Sequence, residues 1–181
     1  MAIFDNPNSE IFKYSSENLI YPSMVQIDDG VIPCPNSTMA NNLFLLGTLL
    51  EKKIYSEQAD KMLKAVSNDV LNSVSDYSVW ASLYASKVFP FVEIIVMGDE
   101  AKAYTSILLK EDLPNSILQA SVSDAYLPLF ENRYVAGETL IYVCKNRVCR
   151  LPTSDLEEAL KEIKAIKNED DTNAIFQYIN K

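Results

Sequence analysis

At Pro90 the spacing of apolar residues changes from helical to strand-like, and this limits the chain to an α+β fold in two parts. Before Pro90 the pattern is that of helices. The stretch from Ile32 to Leu50 opens with Pro33-Cys34-Pro35, which holds the entering chain extended, and Ser37 or Thr38 is expected to cap a helix running from 37 to 50. From Met39 onward nearly every position except Asn41, Asn42 and Thr48 is apolar or small, so this helix is expected to be buried on most faces, Leu46 included. A second helix from about Tyr55 carries Tyr55, Ala59, Met62, Leu63, Val66, Val70 and Val74 on one stripe. A third, capped by Ser75 or Asp76, carries Val79, Trp80, Leu83, Tyr84 and Val88. An all-round apolar helix beside a one-sided one suggests inner and outer layers of a helical array.

After Pro90, Phe91 to Met97 reads as a buried strand, Glu100 to Lys110 as a helix and Ser116 to Val122 as a second strand, which is the beginning of a β-α-β unit. Asp124 to Phe130 reads as a short helix. Thr139 to Cys144 and Val148 to Leu151 then form a tight hairpin across Lys145-Asn146-Arg147, and Ser154-Asp155-Leu156-Glu157 starts a helix with Leu156, Leu160, Ile163 and Ile166 on one face. Short strands are expected around Ala2-Ile3-Phe4, Ile11-Phe12-Lys13-Tyr14 and Leu19-Ile20-Tyr21, and a tail helix ending at Tyr178-Ile179. The resulting division is 1–89, helical with leading strands, and 90–181, a small mixed-sheet α/β unit.

Several function classes are disfavoured. The formal charge of −9, with no cluster of Lys or Arg to offset it locally, would repel phosphate backbones and anionic lipid, so no nucleic acid or membrane partner is expected. No run approaches the roughly 20 apolar residues of a membrane span, and Met1 to Pro7 lacks the pattern of a secretory leader, so the expected location is cytoplasmic. The three cysteines lack metal-ligand spacing, and no metal or cofactor is expected. The chain contains no histidine, so neither a Ser-His-Asp nor a Cys-His mechanism can be assembled within it. No catalytic residue is assigned, and the isolated chain is expected to be catalytically silent.

Two groups of residues can carry chemistry. Asp28, Asp29, Asn36, Ser37, Asn41 and Asn42 gather polar groups at the start of the first helix, with Trp80 and Tyr84 as a pocket wall, a set suited to a sugar-like ligand. Turn chemistry and helix capping account for Asp29, Asn36 and Ser37 equally well, and Trp80 and Tyr84 suit a core. Cys144 and Cys149 are the second group. With Asn146-Arg147 at the centre of the turn, they face each other as a non-hydrogen-bonded pair about 4.5 Å apart at Cα, at the short end of what a disulfide tolerates. They form either a reducible cross-strand bridge or two small buried side chains, and buried thiols are the expectation in a reducing compartment.

Two segments resemble one family. Asp29 to Gly47 (Asp-Gly-Val-Ile-Pro-Cys-Pro-Asn-Ser onward) resembles the loop and helix of long proteins that join a thioredoxin-like domain to an epimerase-like α/α toroid, with Cys34-Pro35 standing where the family has Ser-Gly or Ser-Ser. Leu140 to Pro152, with Cys144 and Cys149, resembles their closing hairpin. The resemblance implies the last helices of a six-hairpin toroid similar to that of N-acylglucosamine 2-epimerase, followed by a small α/β appendage. It also implies partners upstream of Met1, a thioredoxin-like domain and the remaining toroid helices, which makes this chain a C-terminal fragment. Sugar epimerases use histidines for proton transfer, and this chain has none. The three functions in view are a contribution to a carbohydrate-type pocket, a thiol-exchange module at Cys144 and Cys149, and a structural or interaction module.

Overall fold

The computed structural model describes residues 6, 9–13 and 25–168. The strands expected at 2–4 and 19–21 and the tail helix near 178 lie outside these residues; Ile11, Phe12 and Lys13 form no strand. The fold is α+β, and the chain divides into two compact units, Met1–Tyr84 and Ala85–Lys181.

The first unit is built on α1 (Pro35–Leu49) and α2 (Lys53–Asn72), which pack against each other along their length. Pro35 occupies the first turn of α1, where its fixed φ suits a helix and its missing N–H leaves no bond unmade. The cap is Cys34, whose Sγ accepts the Ser37 amide at 3.2 Å, and the expected capping by Ser37 or Thr38 is corrected accordingly. Of the stripe read from the sequence of α2, Ala59, Met62, Leu63, Val66 and Val70 are buried; Tyr55 in the first turn is half-buried, and Val74 is 57% exposed because α2 ends at Asn72 and Val74 opens the next turn. Gly47 lets the helices approach, since a Cβ there would lie 2.9 Å from the Ser56 backbone nitrogen. Burial of α1 on most faces is not found. Ala40, Leu43 and Phe44 are buried, while Met39 is 37% and Leu46 41% exposed, because α2 covers one side of α1 only. A turn of 3-10 helix at Val74–Tyr77 leads into α3 (Ser78–Val88), which ends before Pro90 as expected.

The second unit is a four-stranded mixed sheet of order β2-β1-β3-β4, formed by β1 (Val92–Met97), β2 (Ser116–Ser121), β3 (Leu140–Lys145) and β4 (Val148–Cys149). β1 is buried along its whole length, as a central strand rich in Val and Ile should be. It pairs in parallel with β2 through the crossover helix α4 (Ala101–Leu108) and antiparallel with β3. Alternation along the strands sends Val92, Ile94, Val96, Ile141 and Val143 to one face, where they pack with Ala101 and Leu108 of α4 and with Ala159, Ile163 and Ile166 of α5 (Leu156–Lys167). Asp155 caps α5, its Oδ1 accepting the Glu157 amide at 2.7 Å and that of Glu158 at 3.3 Å. Ile95, Met97 and Cys144 take the other face beneath Leu129 and Phe130. The helix expected over Asp124 to Phe130 is a single 3-10 turn at Pro128–Phe130.

Candidate functional site

The polar residues around the start of α1 are engaged with the protein itself. Asp29 Oδ1 accepts the Cys34 amide at 3.0 Å and the Ser37 hydroxyl at 2.6 Å, and its Oδ2 accepts the Val79 amide at 2.9 Å. Asn36 accepts the Phe12 amide and donates to the carbonyls of Phe12 and Gln26, tying two loop segments to the helix. Asn41 donates to the carbonyls of Ser37 and Val79. Trp80 is fully buried, with its indole N–H donated to the Ile27 carbonyl at 2.7 Å, Tyr84 is half-buried, and Asp28 and Asn42 face solvent. This is the capping and core arrangement weighed from the sequence, and it leaves the carboxylate of Asp29 and the amides of Asn36 and Asn41 committed to backbone and side-chain partners.

Cys144 and Cys149 are brought together. Asn146 and Arg147 both adopt positive φ, 51° and 66°, which is the two-residue turn whose twist matches flanking strands. That turn pairs Lys145 with Val148 and Cys144 with Cys149, the register read from the sequence. Both sulfurs project to one face and are bonded to each other, with their Cα atoms 3.9 Å apart. The expectation of free thiols at this pair is thereby corrected: the short turn leaves the facing side chains no separation. Cys34 is a free, buried cysteine.

Around the bond the two sulfurs differ. Cys144 is fully buried, whereas Cys149 is half-buried, at the edge of the sheet. The Arg133 guanidinium donates through Nη2 to Cys149 Sγ at 3.2 Å and through Nη1 to the Leu129 carbonyl. Tyr142 holds Arg133 from two sides: its hydroxyl donates to the Arg133 carbonyl at 2.8 Å, and its ring lies 5.7 Å from the guanidinium carbon. Burial raises the Tyr142 phenol above its usual pKa; the positive charge of Arg133 lowers it and Glu138 raises it. On β1, Glu93 is the register partner of Cys144, and Gln119 of β2 is the register partner of Ile95, so both share the face that carries the disulfide. Sequence reading singled out none of Arg133, Tyr142, Glu93 and Gln119. Glu93 alone carried a signal, a charge inside the apolar run from Phe91 to Met97.

A cavity of about 490 Å³ opens at the C-terminal end of β1, lined by Asp99, Glu100, Tyr104, Glu138, Thr139 and Ser154. It is carboxylate-rich, and among the described residues no group of His, Cys, Asp or Glu is arranged to hold a metal ion. No described helix is long and apolar enough to cross a membrane.

Compared with family models, with curated proteins and with solved structures, the chain matches none.

Proposed function

We propose that the chain carries a thiol–disulfide exchange site at Cys144–Cys149. The observation that supports this most is the Arg133 guanidinium on Cys149 Sγ. A positive donor beside Cys149 stabilises the thiolate released there when a mixed disulfide at that sulfur is resolved, which is one means of activating a cysteine in a chain without histidine. Cys149 is half-buried and Cys144 fully buried, which favours Cys149 as the sulfur attacked. An external thiolate attacks Cys149, the S–S bond breaks and the electron pair leaves on Cys144. A second thiol of the same reductant then displaces Cys149, so that a dithiol is oxidised to a disulfide while the protein gains two electrons and two protons.

Equilibration in glutathione and dithiothreitol buffers, with free thiols counted by mass spectrometry, tests the reading. A two-electron titration at a potential between about −300 and −180 mV is expected; a bond that stays closed below about −300 mV would be structural and would overturn it. In the reduced protein, Arg133→Met should slow alkylation of Cys149 several-fold.

A second reading, that the helical unit is the end of an α/α toroid, draws support from the exposed Met39 and Leu46 on α1 together with exposed Val31 and Ile32. A sugar-type ligand belongs with it. Expression together with the coding sequence upstream of Met1 should then protect Leu46 from solvent, and flat calorimetric titrations of that longer protein with neutral and N-acetylated hexoses would remove the sugar.

A further inference from the structure

We infer that Glu93 is the proton donor to Cys144 when the Cys144–Cys149 bond opens, and the proton acceptor when it closes. The inference rests on the exchange reading of that bond. Glu93, Cys144 and Cys149 form one row across three strands, because Glu93 is the register partner of Cys144 on β3 and Cys144 that of Cys149 on β4. Direct partners in an antiparallel pair project to the same face with Cβ atoms about 4.5–5.5 Å apart, so the side chains of Glu93 and Cys144 leave the sheet as neighbours on one face.

The chemistry of the two sulfurs explains why both a cation and an acid are present. Cys149 is half-buried and has Arg133 to balance its thiolate. Cys144 is fully buried, so a thiolate released there is poorly solvated and is stabilised by taking a proton from a neighbouring group. Glu93 is itself only 5% exposed, on a strand whose other residues are Val, Ile and Met. Its Oε2 accepts the Arg147 amide of the hairpin turn at 3.3 Å, which holds the carboxyl on the side of β1 that faces the β3–β4 hairpin. Charged and titratable groups around the row among the described residues include Arg133 and Tyr134 from the covering segment, Tyr142 on β3, Lys145 and Arg147 of the hairpin, and Arg150 after Cys149.

The step balances as follows. The thiolate of a dithiol reductant attacks Cys149 Sγ, forming a mixed disulfide, and the protein S–S bond breaks. The electron pair goes to Cys144 Sγ, which takes the proton of the Glu93 carboxyl; solvent later restores that proton. The second reductant thiol loses its proton to solvent and attacks the reductant sulfur of the mixed disulfide, which closes the reductant's own disulfide and releases Cys149 with the electron pair, as a thiolate beside Arg133. In reverse, the Glu93 carboxylate takes the Cys144 proton and makes that sulfur the nucleophile.

The rate of reduction by dithiothreitol, measured against pH on the full chain and on Glu93→Gln, tests the inference. Gln keeps the side-chain shape and an acceptor for the Arg147 amide. Loss of general acid catalysis is expected to slow opening by about 10²-fold near neutral pH and to leave only the pH dependence of the reductant's own thiolate. The unaltered protein should also show a normal solvent deuterium isotope effect at fixed reductant thiolate, a readout that needs no variant to fold. Equal rates and equal pH profiles, or no isotope effect, would remove Glu93 from the step and leave the exchange site standing. A bond in the unaltered protein that dithiothreitol does not open at any pH would instead overturn the exchange site and the role of Glu93 with it.

Discussion

Asp29 and Val79 are 50 residues apart in the chain, and the carboxylate of one accepts the backbone amide of the other at 2.9 Å, while its second oxygen serves the Cys34 amide and the Ser37 hydroxyl. One buried side chain therefore supplies acceptors to the start of both α1 and α3. Asp29→Ala should cost about 3 kcal/mol, because charge-assisted bonds are lost and buried donors are left unpaired. Asp29→Asn, which keeps one acceptor, should cost roughly half as much. Urea unfolding midpoints at fixed m-value give both figures, and a midpoint unmoved by Asp29→Ala would contradict the assignment.

The exposed side of α1 gives a contrast between neighbours on one helix. Leu43, 2% exposed, should cost about 2–5 kcal/mol on truncation to Ala. Leu46, at 41%, should cost less than about 1 kcal/mol. Denaturation of the two variants side by side settles the ranking, and equal losses would mean that Leu46 is covered.

Gly98 closes β1 at φ 128°, a backbone conformation that side chains disfavour, and a Cβ there would collide with the Glu138 carbonyl and lie 2.7 Å from Thr139 Cα. Gly98→Ala should destabilise the second unit by about 3 kcal/mol. Amide exchange should rise first along β1 and β3; protection equal to that of the parent chain would show that the loop before β3 can yield.

Gln119 is 9% exposed, and neither its amide oxygen nor its nitrogen has a partner among the described residues. Replacing an unsatisfied amide by an apolar group of similar volume removes a desolvation cost, so Gln119→Leu should stabilise by about 1 kcal/mol. A loss of stability in thermal unfolding would show that the amide is bonded in solution.

Tyr142 supplies a pH dependence. Burial, the largest influence, raises its pKa in the folded protein above the unfolded value of about 10. The native state therefore holds this proton to higher pH than the unfolded chain does. Its contribution to stability is complete below about pH 10 and is lost as pH rises through the raised value. Tyr142→Phe removes the titrating group, so the decline of unfolding midpoint with pH in that region should be shallower than in the parent chain. Identical slopes would mean that the phenol ionises alike in both states.

Local chemistry made much of the second unit legible. The apolar run of β1, the crossover to β2, the Asn146-Arg147 turn with its Cys144–Cys149 register and the cap of α5 are each specified by residues within a few positions of one another. The partners of the site were not legible. Arg133 reaches Cys149 from 16 residues away, and no periodicity or turn signal in the loop sets that approach. Glu93 was visible as a charge in a strand, but its neighbour across the sheet depends on the pairing of β1 with β3.

The sequence by itself determined the α+β class, the stripe of α2, the strand and hairpin positions and the absence of any histidine-based chemistry, because backbone period, turn geometry and side-chain inventory are local properties. Tertiary structure decided the rest. It put Asp29, Asn36 and Asn41 to work holding loops and helix ends, left one side of α1 exposed, joined the two cysteines and set Arg133 and Glu93 beside them. Which polar atoms end up bonded, and which sulfur meets a cation or an acid, depends on contacts between segments far apart in the chain, and hydrophobic spacing carries no information about those.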